Sequence, residues 1–243
     1  MQFSILTITK NGEKYLDKTL ESVKAQTFKN FEHILLDAHS DDNTIKIASN
    51  FPHVQIFQGE DSGISDAMNK IALRAKGKFL LFLHADDFLA HDQVLEALDL
   101  LLRQHPQTNW LYGRATFIDQ EGALLRKSPF ERHSRRRLLK YNFITHPATL
   151  VSRALFNQVG GFRRELKFAM DYDLWLRLSQ VESPLTTELL VANVRLHQGS
   201  VSTREQRSVA DESYQIRNKY IKNPFLRLKS YRTWKKRVKL AKD

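Results

Sequence analysis

The residues best suited to chemistry are carboxylates placed where secondary structure should end. Asp37 follows the apolar run Glu32–Leu36, and Asp86-Asp87 follow Phe79–Leu83 across His84-Ala85. Two adjacent carboxylates on a tight turn repel each other unless a cation lies between them and an anionic ligand. Mg2+ or Mn2+, held by one or two carboxylates with phosphates completing its shell, meets that demand. Capping of the following helix accounts for the pair equally well. Asp171 and Asp173 open the segment containing Leu174 and Leu178. Acids there complement a helix dipole, or one of them serves as a general base. Asp66, Asn69 and Lys70 lie on another helical segment, where solvation is the ordinary fate of polar side chains.

Several absences narrow the chemistry. There is no G-x-G-x-x-G and no G-x-x-x-x-G-K-[ST], so neither a dinucleotide-type glycine turn nor a P-loop cradles phosphate. H-E-x-x-H and G-x-S-x-G are also missing. The chain has no cysteine, which excludes disulfides, thiolate metal sites and a cysteine nucleophile. The nine histidines show no metal-ligand spacing.

The elements that must carry these carboxylates alternate. Gln2–Ile8 reads as a strand, Leu16, Leu20 and Val23 as a helix face, and Glu32–Leu36 and Val54–Phe57 as further strands. A helix through Ile64, Ala67, Met68 and Ile71 ends at Gly77; Phe79–Leu83 reads as a fully buried strand, and Val94, Leu95, Leu98, Leu101 and Leu102 mark the next helix. Continuous apolar strands alternating with helices predict an α/β fold with a mainly parallel sheet covered on both faces. Ligands bind beyond the carboxyl ends of such strands, which puts Asp37, Asp86 and Asp87 on the binding edge. The second half is less regular: strands over Trp110–Phe117, Ala123–Leu125 and Leu189–Leu196, a break at Gly160-Gly161, and a helix over Asp171–Leu178.

At 243 residues, 42% hydrophobic and 27% charged, the chain has an ordinary globular composition and room for one well-buried core. Its net charge of +11 is unevenly placed. Eleven Lys/Arg and no acid lie between Arg217 and Lys242, so the body, 1–216, is nearly neutral and 217–243 reads as a basic helical tail. A nucleic-acid-binding fold usually spreads its basic excess over the main fold, so no nucleic-acid partner is expected. Asn223-Pro224 supplies an N-cap and a first-turn proline for the tail helix. Ile221, Phe225, Leu228, Tyr231, Trp234 and Val238 are expected on one side of it, suited to an anionic membrane surface; a cover packed on the body is the other reading. The longest apolar run is five residues, too short to span a bilayer, and no signal peptide is visible. The expected location is cytoplasmic, on the inner face of the plasma membrane.

Five blocks run in order from residue 4 to residue 202: the opening segments, an Asp61–Lys70 segment, the Phe82–Asp87 turn, the Gly160–Arg177 region and the Arg195–Ser202 loop. Together they resemble one family, glycosyltransferase family 2. Ser4-Ile-Leu-Thr-Ile-Thr-Lys-Asn-Gly12, Thr19-Leu-Glu-Ser-Val-Lys-Ala-Gln-Thr27 and Phe31-Glu-His-Ile-Leu-Leu-Asp37 resemble the family's opening. Asp61-Ser-Gly-Ile-Ser-Asp-Ala-Met-Asn-Lys70 resembles a segment of the subgroup that builds exopolysaccharides such as colanic acid. Phe82-Leu-His-Ala-Asp-Asp87 sits where the family has its D-x-D motif. Gly160-Gly-Phe162 with Met170-Asp-Tyr-Asp-Leu-Trp-Leu-Arg177 matches its catalytic-base region, and Arg195-Leu-His-Gln-Gly-Ser-Val-Ser202 its closing strand and loop.

The resemblance implies a GT-A fold, a UDP- or GDP-sugar donor, Mn2+ or Mg2+, and inversion at the anomeric carbon. Carried over position by position, Thr9, Asp37, Asp66, Asn69 and Asp86 belong to the donor site. Asp86, Asp87 and His197 would hold the metal, and Asp171 would be the base. His84 stands in place of the first Asp of D-x-D, Met170 in place of the acid that commonly precedes the base, and Met68 where many members have Arg. The Q-x-x-R-W motif of polymerising members is absent, which implies transfer of one sugar, to a glycan or lipid-linked acceptor in surface polysaccharide assembly. A sugar-phosphate nucleotidyltransferase would show G-x-G-T/S-R/K after the first strand, which Thr7-Ile-Thr-Lys-Asn-Gly12 lacks. A catalytically weak relative acting as a binding protein is the remaining alternative.

Overall fold

The computed structural model describes residues 1–240. In chain order it contains β1 (Phe3–Thr9), α1 (Leu16–Lys24), β2 (Phe31–Asp37), α2 (Thr44–Ser49), β3 (Val54–Gln58), α3 (Ile64–Ala72), β4 (Phe79–Phe82), β5 (Phe88–Leu89) and α4 (Val94–Gln104). Then come β6 (Trp110–Ile118), β7 (Leu124–Lys127), α5 (Arg135–Leu138), a 3-10 turn at His146–Ala148, β8 (Thr149–Ser152) and α6 (Arg153–Gln158). The chain closes with α7 (Met170–Val181), β9 (Leu185–Arg195), α8 (Val201–Arg204), α9 (Gln206–Tyr220) and α10 (Pro224–Leu240).

The nine strands among the described residues form one sheet in the order β3-β2-β1-β4-β8-β6-β9-β5, with β7 paired to β6. β3, β2, β1 and β4 are all parallel, as the alternation of the first hundred residues predicts. Beyond β4 the sheet turns antiparallel through β8 and β6, and β9 then pairs parallel to β6. The continuous apolar runs have a clear cause. Phe3, Ile5, Phe79 and Leu81 pack against α4, whereas Leu6, Leu80 and Phe82 pack against α3 and α7. Successive strand residues point to opposite faces, and both faces are covered, so neither set can be polar. Leu16 and Leu20 of α1 join Ala48 and Val54 in a smaller cluster at the β2–β3 edge.

α7 is buried nearly all round: Met170, Tyr172, Leu174, Trp175, Leu176 and Leu178 all lie in the core. α9 covers it from the outside. Asp173, fully buried, takes Arg177 at 2.7 Å, Arg163 at 3.3 Å and the Tyr220 hydroxyl of α9 at 3.3 Å. That pairing is what a buried carboxylate needs to remain in the interior.

The basic tail meets the body differently from the sequence expectation. The 216/217 boundary falls inside α9, where Arg217 is buried and donates to the Ser230 hydroxyl and carbonyl of α10. The expected apolar side of α10 is split. Ile221 is buried ahead of the helix, and Trp234 stacks on Tyr214 and donates from Nε1 to Asp211 at 2.6 Å. Phe225 (81% exposed) and Leu228 (50% exposed) remain outward. Helical spacing puts Arg232, Lys235, Lys236 and Lys239 on their side. The last three tail residues, 241–243, lie outside the described residues.

Candidate active site

Sheet register assembles the first part of the site. Parallel pairing sets Thr9 beside Asp37 at the carboxyl ends of β1 and β2, and Leu6 beside Phe82, so the chain leaving β4 carries Asp86 to the same edge. Asp37 is fully buried; its carboxylate accepts from the Ser40 backbone N–H at 2.9 Å, from the Ser40 hydroxyl, and from Gln58 at 3.3 Å. Asn11 and His39 take left-handed conformations with φ of 53° each, turning both loops sharply. The Asn11 N–H donates to the Ser40 hydroxyl and the Gly12 N–H to Thr44. A Cβ at Gly12 would collide with the Thr9 hydroxyl, so only glycine keeps this cradle open. The Thr9 hydroxyl is buried and has no hydrogen-bond partner among the described residues.

The two adjacent carboxylates part company. Asp86 is partly exposed and meets the His197 Nε2 at 2.9 Å. His197 lies against the Tyr15 ring, which also meets the Arg195 guanidinium, 4.6 Å from the ring centre, and the Lys14 ammonium at 5.0 Å. Asp87 turns inward instead, where its Oδ1 accepts from the Arg195 backbone N–H at 2.9 Å. Burial, and then the charge of Asp86, push the Asp87 carboxyl well above the usual carboxylate range. Asp87 therefore pins the end of β9, which brings the following His197 loop to Asp86. His84 has its pKa lowered by burial and packs edge-on to His146. It supplies a neutral ring where the D-x-D pattern has a charge.

Asp66 and Asn69 stand apart from that cluster. Asp66 accepts from the Ser62 N–H and pairs with Lys70 at 2.7 Å and Arg164 at 3.2 Å. The Lys70 hydrogen bond and the Ser62 N–H hold its carboxyl below the usual range. Asn69 uses both ends of its amide on the Phe162 backbone, donating at 2.7 Å and accepting at 2.9 Å. Both residues tie α3 to the loop leading toward α7.

Asp171 occupies the first turn of α7, half-buried. Burial raises its pKa to about 6, against hydrogen bonds from the Tyr172 N–H at 2.6 Å and the Asn142 amide at 3.1 Å. A carboxylate that titrates there is ionised at neutral pH yet far more basic than an exposed one, as a general base requires.

Two residues of this platform carry no signal in the sequence. Asn142 orients Asp171 from the loop after α5. Glu212 of α9 accepts from the backbone N–H groups of Lys167 (3.0 Å), Phe168 (2.7 Å) and Ala169 (2.6 Å), immediately ahead of α7. It caps α7 from 43 residues away, and its charge also raises Asp171. No local pattern announces such a contact.

With this geometry in view, the chain's similarity to known proteins has a structural meaning. Residues 4–160 match the sequence profile described as Glycosyl transferase family 2. The chain belongs to glycosyl transferase family 2. The match ends before α7, so it covers the cradle and the Asp86 turn but not Asp171. An uncharacterised glycosyltransferase of Rickettsia typhi is 28% identical over 202 residues, 80% of this chain and 64% of its own length. A PGL/p-HBAD biosynthesis glycosyltransferase of Mycobacterium bovis is 32% identical, over 72% of this chain and 68% of its own. Among solved structures, S. aureus TarS (residues 1–349) in complex with UDP-GlcNAc superimposes with a TM-score of 0.71 at 20% identity, covering 90% of this chain and 71% of that one. The mannosyltransferase PcManGT of Pyrobaculum calidifontis, in complex with GDP-Man and Mn2+, gives 0.69 at 13% identity, covering 100% and 76%. These likenesses establish the GT-A-type fold for this family 2 member. Among its described residues no helix is long and apolar enough to cross a membrane, and no three His, Asp or Glu side chains form a ready-made metal cage.

Proposed function

We propose that this family 2 member transfers one sugar, with inversion, from a UDP- or GDP-sugar to a hydroxyl of a lipid-linked glycan in bacterial surface polysaccharide assembly. The observation that carries the reading is the pairing of the strand edge bearing Thr9, Asp37 and Asp86 with the raised carboxylate of Asp171. Thr9, Asp37 and Asp86 share that edge, and Asp171 supplies proton acceptance from α7. The nucleotide sugars bound by TarS and PcManGT support the donor class.

In this reading Thr9 and Asp37 hold the nucleoside, with Asp66 and Asn69 fixing the loops around it. The acceptor hydroxyl gives its proton to an Asp171 carboxylate oxygen as its own oxygen attacks the anomeric carbon, and the nucleoside diphosphate departs in the same step. No second nucleophilic carboxylate is needed. The metal site fits the residues present: one hard oxygen donor from Asp86 and one imidazole from His197 leave most positions for water and phosphate, the arrangement Mg2+ and Mn2+ accept. A cation bound there supplies charge neutralisation for the departing diphosphate. Buried Asp87 contributes by fixing Arg195 and thereby His197.

The outward face of α10 is the proposed membrane contact, with Phe225 and Leu228 entering the interface and the surrounding lysines and arginines facing anionic headgroups. Each engaged cation contributes about 1 kcal/mol. The test is a thermal-shift panel of nucleoside diphosphates with and without Mn2+. A ligand at a hundred times its dissociation constant adds about 2.7 kcal/mol. Stabilisation by UDP or GDP that depends on Mn2+ is the expected result; no response to any nucleotide removes the reading.

A further inference from the structure

A groove between α5 and α10 is lined by cations that nothing in the fold uses. Arg136, Lys140 and Lys229 stand at it, all exposed, and none forms an ion pair among the described residues. The nearest acid in sequence, Glu131, is taken by Arg137 at 3.0 Å. The rest of the lining is largely apolar: buried Ile221 with half-buried Leu139 and Leu226. The Ser230 hydroxyl, also in the lining, already accepts from Arg217. Three unpaired cations beside an apolar wall complement one kind of molecule, an anionic head joined to a hydrocarbon chain.

The groove's position narrows the choice further. Segment 136–142 serves both the groove and the base. Leu138 accepts from the hydroxyl of Tyr172, the residue after Asp171, and Asn142 donates to Asp171 itself. Lys140 lies two residues before Asn142, at most about 7 Å along the chain. On the other side, α10 carries Leu226 and Lys229 in the groove and exposes Phe225 and Leu228 on the adjoining face. The groove thus adjoins both the helix proposed to meet the membrane and the segment that orients the residue proposed to take the acceptor's proton.

We infer that this groove binds the phosphate-bearing end of a lipid-linked acceptor, with Arg136, Lys140 and Lys229 on the phosphate and Leu139, Ile221 and Leu226 against the first carbons of its chain. The inference rests on the reading above that the acceptor is lipid-linked. It makes substrate capture and membrane contact neighbouring tasks of one helix.

The test is calorimetric titration of the full chain with four probes: geranyl phosphate, geraniol, inorganic phosphate and dihexanoyl phosphatidylglycerol. Geranyl phosphate should bind at least tenfold more tightly than the other three, because it alone offers a compact phosphate on a single chain. Lys140→Gln with Lys229→Gln should weaken it at least tenfold; both lysines are exposed, so the fold is not at risk. Stabilisation by UDP or GDP with Mn2+ should be the same in both proteins. Unchanged geranyl phosphate binding in the double variant overturns the inference. So does geraniol or phosphatidylglycerol binding as tightly, since the groove would then be an apolar patch or a general lipid contact. If no nucleotide stabilises either protein while geranyl phosphate behaves as expected, the donor reading falls and the groove stands.

Discussion

The two halves of the site are built by different means. At the donor edge, Thr9, Asp37 and Asp86 are placed by strand register, so that each residue's position follows from where β1, β2 and β4 end. The proposed base, Asp171, is placed by side chains that reach backbone or carboxylate across long sequence separations: Asn142 from the loop after α5 and Glu212 from α9. The first arrangement is stiff and shares its stability with the sheet. The second depends on a few hydrogen bonds and holds a carboxylate whose ionisation its surroundings disfavour. A donor site needs a fixed frame for phosphate and nucleoside. A base needs an environment that disfavours its charge, and packing helices supply that more readily than a strand edge.

The largest effect that would test this division is at the base. Asp171→Asn should lower turnover by about 10²- to 10⁴-fold, the usual scale of general-base catalysis. Affinity for the nucleoside diphosphate should stay within about twofold, measured by titration calorimetry. Near-normal turnover would move the base elsewhere. At the proposed donor edge, Asp86→Ala should remove the Mn2+ dependence of nucleotide binding while leaving the melting curve of the ligand-free protein nearly unchanged, because Asp86 is partly exposed and its one side-chain hydrogen bond among the described residues is to His197.

Gly12→Ala should distort the cradle through the collision with Thr9, costing about 1–3 kcal/mol of stability as overpacking does. Nucleotide binding should fall with it, and the activity per bound donor should not. Glu212→Gln tests the other half. It removes the charge and replaces one acceptor oxygen with an N–H donor facing the backbone N–H groups of 167–169. Turnover should drop several-fold with donor affinity unchanged, and the acidic limb of the rate profile should move to lower pH, since Glu212 raises Asp171. A limb that stays in place would make Glu212 a purely structural cap.

The smallest effect is on stability and has the opposite sign. Asp171 binds its proton more tightly folded than unfolded, so its ionisation above pH 6 works against folding. Asp171→Asn should therefore stabilise the protein at pH 7.5 by about 1–2 kcal/mol, discounted for the partial exposure of the group. The gain should vanish below pH 4, where the carboxyl is protonated in both states.

The parallel half was legible because its signals are local. An apolar run covered on both faces looks like Phe79–Leu83 whatever surrounds it, and a carboxylate just past such a run lies on the ligand edge. β8 left no such mark: Thr149–Ser152 is four residues long, and only insertion between β4 and β6 makes it a strand. α9 is mostly polar and was not visible as a helix; its buried side is defined by α7 and α10 rather than by periodicity. The division of labour between Asp86 and Asp87 was likewise unreadable. Adjacent residues of one type became an exposed and a buried carboxylate only because the Arg195 N–H arrives from β9, 108 residues later. The same holds for Trp234, which sequence spacing assigned to an outward face and which Tyr214 and Asp211 turn toward α9.

In the proposed reaction Asp171, raised by burial, accepts the proton from an acceptor hydroxyl while the donor is held at the strand edge. The most direct measurement is the release of UDP or GDP from its nucleotide sugar as a function of pH, with Mn2+ saturating, for the wild type and Asp171→Asn. The account predicts a wild-type acidic limb near pH 6, rising with the ionised fraction of one group, and a residual Asp171→Asn rate lacking that limb. A wild-type limb near pH 4, or the same limb persisting in Asp171→Asn, would contradict it.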